Sequence, residues 1–192
     1  MRVLLVSEGK HEESGALEAL VRRVAPHIES CTWDRASSSR IDTQPCKGQG
    51  FSKRAIRWIL EARKRGYDAL VLVIDEDGRR DRASDLDRAQ SEAKQTHDFP
   101  CALGVAIRSF DAWMLADEKA LSAALGRVVP CQPSPEDNRD PKADCATLLK
   151  QSNCGLRQRE LYAQVAQRVD LEVLAKRCPQ GFGGFAAQLR AL

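Results

Sequence analysis

Three short stretches concentrate side chains able to do chemistry: Ser7-Glu8-Gly9-Lys10-His11-Glu12, Asp75-Glu76-Asp77-Gly78 and Arg108-Ser109-Phe110-Asp111. Each supplies carboxylates. These are hard oxygen donors of the kind Mg²⁺ takes, and because that ion keeps several waters, two or three carboxylates from separate loops suffice. Asp75 and Asp77 are two apart, so on an extended exit from a strand they share one side while Glu76 points away. Glu12 follows Glu8 by four residues, a spacing that places both on one helical face. Gly9 lets the backbone turn sharply between them. Such a cluster can hold one or two metal ions and stabilise both the attacking and the leaving oxygen of a phosphodiester. Taken singly, each stretch also has a plainer reading. An acid at a helix N-terminus is favoured by the helix dipole, and D-x-D-G after a strand is an ordinary turn. His11 titrates near neutral pH and is either a general base or a loop histidine.

The surrounding elements must bring these stretches together. Residues 2–6 form an apolar run, and Ala16, Leu17, Leu20, Val21 and Val24 recur at helical spacing until Pro26. Residues 27–33 read as a weak edge strand and 34–51 as a long polar loop. Ser52 is a candidate cap for a helix with the stripe Ala55, Ile56, Ile59, Leu60 and Ala62, stopped by Gly66. Residues 69–74 are apolar without alternation, as in a strand buried on both faces. A helix with a thin stripe over 82–95 and a strand over 101–107 complete a β-α-β-loop-α-β-α-β order. That order predicts an α/β fold with a mainly parallel, Rossmann-like sheet flanked by helices. In such sheets ligands gather at the carboxyl ends of the strands, which is where all three acidic stretches emerge. Beyond residue 110 the pattern is helical: 110–116, a helix capped by Asp117 and running to Leu125, then helices near 142–151, 157–168, 170–177 and 183–190, with Asp170 a further cap. The expected division is an α/β domain over 1–117 and a helical C-terminal extension over 118–192, packed on it.

The chain has 192 residues, 43% hydrophobic and 30% charged, which is the composition of a globular domain with a real core. Its longest aliphatic run, residues 69–74, is far too short to span a bilayer. No signal segment is legible, so a cytoplasmic protein with no membrane partner is expected. Seven cysteines, an odd number without C-x-x-C spacing, argue against a zinc ribbon and for reduced thiols. Thirty basic against 27 acidic residues leave a net charge of only +3, so any anionic partner must be met by local patches. Residues 47–65 hold seven basic residues against one acid, Glu61. Candidate phosphate contacts are Lys47, Lys53, Arg54 and Arg57 in that stretch, Arg79 and Arg80 after the acidic turn, Arg108 at the fourth strand, Lys10, and Lys142 in Asp140-Pro141-Lys142. The competing reading is a solvated helix face and local ion pairs.

A strand ending in Glu-Gly, a following acid, and a later strand ending in Asp-x-Asp resemble the Toprim domain of topoisomerases, DnaG-type primases and the OLD-type (overcoming lysogenization defect) nucleases. Val6-Ser7-Glu8-Gly9-Lys10-His11-Glu12 is similar to the V-E-G-x-x-E form of the OLD-type branch, and Val73-Ile74-Asp75-Glu76-Asp77-Gly78 to its D-x-D. Lys47-Gly48-Gln49-Gly50, the segment from Ile107 to Asp117 containing Asp111-Ala112-Trp113-Met114-Leu115-Ala116-Asp117, Asp140-Pro141-Lys142, and Arg177-Cys178-Pro179 through Phe185 look like a small stand-alone Toprim-like family of unknown function linked to phage defence. Two positions depart from the pattern. Ser7 replaces an aliphatic residue, and Asp111 stands where the family carries Glu, one methylene shorter.

The resemblance implies a Toprim fold in which Glu8, Asp75 and Asp77 are catalytic. Asp75 and Asp77 would hold Mg²⁺ or Mn²⁺, Glu8 would be a ligand or general acid/base, and Glu12 and Asp111 would be further ligands. The function expected is metal-dependent phosphodiester hydrolysis of nucleic acid, DNA before RNA, in phage defence or DNA repair. No G-x-x-x-x-G-K-[ST] segment is present, whereas OLD-type nucleases carry an ATPase. A second expectation is therefore a nucleic-acid- or partner-binding module of a defence complex, inactive alone, with an ATPase or other subunit as partner. A third is phosphoryl or nucleotidyl transfer on a small nucleotide.

Overall fold

The computed structural model describes residues 1–9, 15–37 and 50–192. Strands β1 (Arg2–Ser7), β2 (Ser30–Arg35), β3 (Ala69–Asp75) and β4 (Cys101–Ala106) form one sheet in the order β2-β1-β3-β4, and every pair is parallel. The central strands β1 and β3 are apolar at consecutive positions because both faces are covered. Val3, Leu5, Val71 and Val73 feed one core, and Leu4, Val6, Leu70, Leu72 and Ile74 the other. β2, an edge strand, keeps only Asp34 buried.

One face is covered by α2 (Phe51–Lys64) and α3 (Asp81–Glu92), whose apolar stripes meet the second core. The other carries α1 (Ala16–Val24), α4 (Phe110–Met114), α5 (Glu118–Leu125), α6 (Pro141–Gln151), α7 (Gln158–Arg168), α8 (Leu171–Arg177) and α9 (Gly184–Arg190), all contributing to the first core. Residues 118–192 thus pack on the α1 face. Trp113 is fully buried there, 5.3 Å from the rings of Phe110 and Phe182 and stacked on Phe185 at 5.8 Å. It is core, and so unavailable for stacking on a base. At the edge strand β4, Gln188 of α9 accepts from the Leu103 N–H at 2.7 Å, covering a donor that an open edge would expose. No helix among the described residues is long and apolar enough to cross a membrane.

Three local expectations differ from the structure. β2 begins at Ser30 rather than 27, because Ile28 turns back on Ala25 (N–H to O, 3.1 Å) before the ladder starts. Ser52 lies buried inside the first turn of α2; the N–H of Phe51 is capped from α3, by Asp85 at 2.5 Å. α3 closes in a π-helical turn over Ala93–His97.

Candidate functional site

In an open sheet of this order the chain runs outward from β1 to β2 and returns on the other side at β3, so the crevice for a ligand lies where β1 and β3 part. Glu8 leaves β1 there and Asp75 ends β3, with Ser7 paired to Val73 in the register. The Glu8 carboxylate bridges the two strands. Its Oε2 accepts from the Asp75 N–H at 3.3 Å and from Arg82 Nη1 at 2.6 Å. The same Nη1 donates to the Asp75 carbonyl and stands 3.7 Å from Asp77 Oδ2. One guanidinium therefore touches Glu8, Asp75 and Asp77. Its side chain is 12% exposed and that of Glu8 24%, so this is a sheltered charge-assisted contact, worth about 1.5–3 kcal/mol, rather than a surface pair.

The loop geometry fixes the acids individually. Asp75 Oδ1 accepts from the N–H of Phe110, which opens α4, at 2.7 Å. The β3–β4 ladder continues past the strands, with Glu76 N–H to Ala106 O at 2.9 Å and Asp77 N–H to Arg108 O at 3.2 Å. Glu76 Oε2 in turn accepts from the Arg108 N–H at 3.3 Å. Asp77 (φ 49°) and Arg108 (φ 64°) both sit in the left-handed region, two of the three non-glycine residues among those described to do so. Such backbone costs of order 1–3 kcal/mol per residue and persists where the surroundings hold it. Gly78 (φ 72°) follows in the same turn, where only glycine is unstrained.

Arg82 is not among the candidate phosphate contacts read from the sequence, although it follows Arg79 and Arg80 closely. Its main partner lies 74 residues upstream. One signal was legible: helical side chains lean toward the N-terminus, so an Arg in the first turn after a D-x-D reaches back over that turn. Its guanidinium carbon also lies 5.7 Å from the centre of the Phe51 ring, as does that of Arg54.

Asp111 is directed elsewhere. It is buried on α4; its Oδ1 accepts from Tyr162 Oη and from Gln158 Nε2 at 3.0 Å, and its Oδ2 from Ser109 Oγ at 3.0 Å. Burial first, then the adjacent Cys145 and Asp111, pushes the Tyr162 phenol far above its usual range. Burial likewise pushes the Cys145 thiol up to about 12. This cluster joins α4 to α6 and α7. Glu12, Lys10 and Lys47, with His11, lie outside the described residues.

The basic candidates divide. Lys53, Arg79, Arg80 and Arg108 are exposed, while Arg54 and Arg57 are half-buried on α2. Arg54 donates to the Ala36 carbonyl at 2.5 Å. Arg79 pairs with Asp81 at 3.2 Å, and that hydrogen bond holds the Asp81 carboxyl below its usual range. Lys142 is exposed in the first turn of α6, whose cap Asp140 accepts from Ala143 N–H at 3.0 Å. The six cysteines of the described residues are free thiols, and burial pushes Cys101 up to about 11.

The donor chemistry fits a hard divalent cation: the groups around the crevice are oxygens, and a cationic group is already seated among them. No set of three or more His, Cys, Asp or Glu among the described residues converges closely enough to hold a metal ion. A cavity lined by Lys94, Phe99, Cys101, Gln188 and Leu192 opens at the amino end of β4, the opposite edge of the sheet.

No curated protein and no solved structure matches the chain. Residues 8–190, nearly its whole length, match the model of a family described as Domain of unknown function (DUF4276). The matched span begins at Glu8, the residue that bridges the two central strands, and the chain belongs to the DUF4276 family.

Proposed function

We propose that the chain is a divalent-metal-dependent phosphodiesterase that hydrolyses nucleic acid, DNA before RNA, as a Toprim-like domain of the OLD-type branch. The observation that carries this reading is that the Glu8 and Asp77 carboxylates and the Asp75 carbonyl meet one cationic group at the β1–β3 crevice. Asp75 and Asp77 would hold Mg²⁺ or Mn²⁺, and Glu8 would be a further ligand or the general acid/base. The ion supplies Lewis acidity toward the phosphoryl oxygen and a lowered pKa for bound water. The chain's own residues position the substrate. Phe110 N–H fixes the Asp75 carboxylate, and the exposed Lys53, Arg79, Arg80 and Arg108 meet backbone phosphates by charge. Water is favoured over a tyrosine nucleophile, since Tyr162 is buried with its hydroxyl on Asp111 and Tyr67 precedes β3, at the amino edge of the sheet.

A second reading, a nucleic-acid- or partner-binding module of a phage-defence complex that is inactive alone, draws on the same guanidinium. Arg82 neutralises the acids that catalysis needs, and a partner subunit such as an ATPase would have to shift it. Purified protein with supercoiled plasmid, single-stranded DNA and RNA, each with Mg²⁺, Mn²⁺ or EDTA, separates the two. Metal-dependent cleavage is the expected result. Binding without cleavage on every substrate supports the module instead.

A further inference from the structure

We infer that Arg82 is a displaceable resident cation, and that the acidic crevice takes up a divalent ion only when this guanidinium leaves Glu8 and Asp77; the inference rests on the metal-dependent reading above. Three features of the residue carry it. Arg82 is placed as a cation in the seat rather than as a neighbour of it, because one nitrogen, Nη1, meets Glu8, the Asp75 carbonyl and Asp77. A guanidinium and a divalent ion cannot share those oxygens at contact distance.

The fit is also incomplete. Arg82 Nε is buried and has no hydrogen-bond partner among the described residues. A fork built for permanent structural service uses its donors, and an unmet buried donor makes the closed arrangement easier to leave. In addition, two carboxylates, Glu8 and Asp77, share the one guanidinium. The trio keeps net negative charge, which favours exchange of a single charge for a double one.

A place to go is present as well. The face of Phe51 lies 5.7 Å from the guanidinium carbon, and Phe51 is itself held by Asp85. A cation that leaves the carboxylates can remain against that ring.

The test is calorimetric titration of Mn²⁺ into the wild type, Arg82→Gln, Arg82→Lys and the Asp75→Ala/Asp77→Ala double variant, with thermal midpoints in EDTA and in Mn²⁺. Arg82→Gln is expected to bind Mn²⁺ at least tenfold more tightly than wild type. It should also melt lower in EDTA and recover most of that loss in Mn²⁺. Arg82→Lys, which keeps the charge without the fork, should fall between the two and carries the test if the Gln variant does not fold. Unchanged or weaker Mn²⁺ affinity in the Arg82 variants, with binding still lost in the double variant, overturns the inference and leaves the metal reading standing. No Mn²⁺ binding to wild type or to either Arg82 variant overturns both.

Discussion

Glu8 and Asp111 show how the same functional group is put to different use by its neighbours. Glu8 keeps a quarter of its side chain exposed and faces a guanidinium between two strand ends. Asp111 is buried, and its oxygens meet Tyr162, Gln158 and Ser109. In the structure Asp111 fastens α4 to the extension and, through α4, steadies the Phe110 N–H on which Asp75 rests. Tyr162→Phe removes one donor to Asp111 while Gln158 Nε2 remains at 3.0 Å. Urea unfolding should show a loss of about 1–3 kcal/mol, with Mn²⁺ affinity unchanged. Loss of Mn²⁺ binding in that variant would instead return Asp111 to the metal.

At the scale of elements, the close approach of α9 to β4 depends on a missing side chain. A Cβ on Gly104 would stand 2.7 Å from Phe185 Cδ2 and 2.9 Å from its Cγ. Phe185 is packed on Trp113 and has no room to yield. Gly104→Ala should therefore cost about 1–3 kcal/mol in denaturant unfolding, the usual range for overpacking a core. A cost near zero would mean that α9 is not seated on the strand.

Elements whose signals are local were legible. β3 is a strand buried on both faces and shows it as an unbroken apolar run. Asp117 and Asp170 accept from the first N–H groups of α5 and α8, as their positions before each helix predict. What was not legible is set by distant partners. Asp85 caps α2 from 34 residues away, so Ser52 is a false cap signal. Arg82 finds Glu8 across 74 residues, and no spacing rule reaches that far. The carboxylates at the β1 and β3 ends could be placed from the strand pattern alone, because parallel order fixes which edge they share. The cation between them could not.

For the whole molecule, the extension is tied to the α/β layer by its apolar core and by Arg177, whose guanidinium donates to the Ala116 carbonyl at 2.7 Å while it pairs with Glu118 inside the extension. The hydrogen bond from Arg177 holds the Glu118 carboxyl below its ordinary 4.5. A depressed folded pKa gives stability that is fully present above the unfolded value and lost as pH falls through the folded one. Thermal midpoints of the wild type should thus decline below about pH 4.5 more steeply than those of Arg177→Gln, while above that pH the variant is uniformly less stable. Parallel curves through the acid range would remove the pair from the acid response.

Among the described residues near the carboxyl edge of the sheet, Lys53, Arg79, Arg80 and Arg108 are exposed. The central claim is that this edge cleaves phosphodiesters with a divalent ion held by Asp75 and Asp77. The most direct measurement is cleavage of end-labelled DNA in Mn²⁺ by wild type beside Asp75→Ala/Asp77→Ala, with circular dichroism confirming that the variant is folded. The account predicts cleavage by wild type that EDTA abolishes and that falls at least a hundredfold in the variant. Equal cleavage by the folded variant would contradict it.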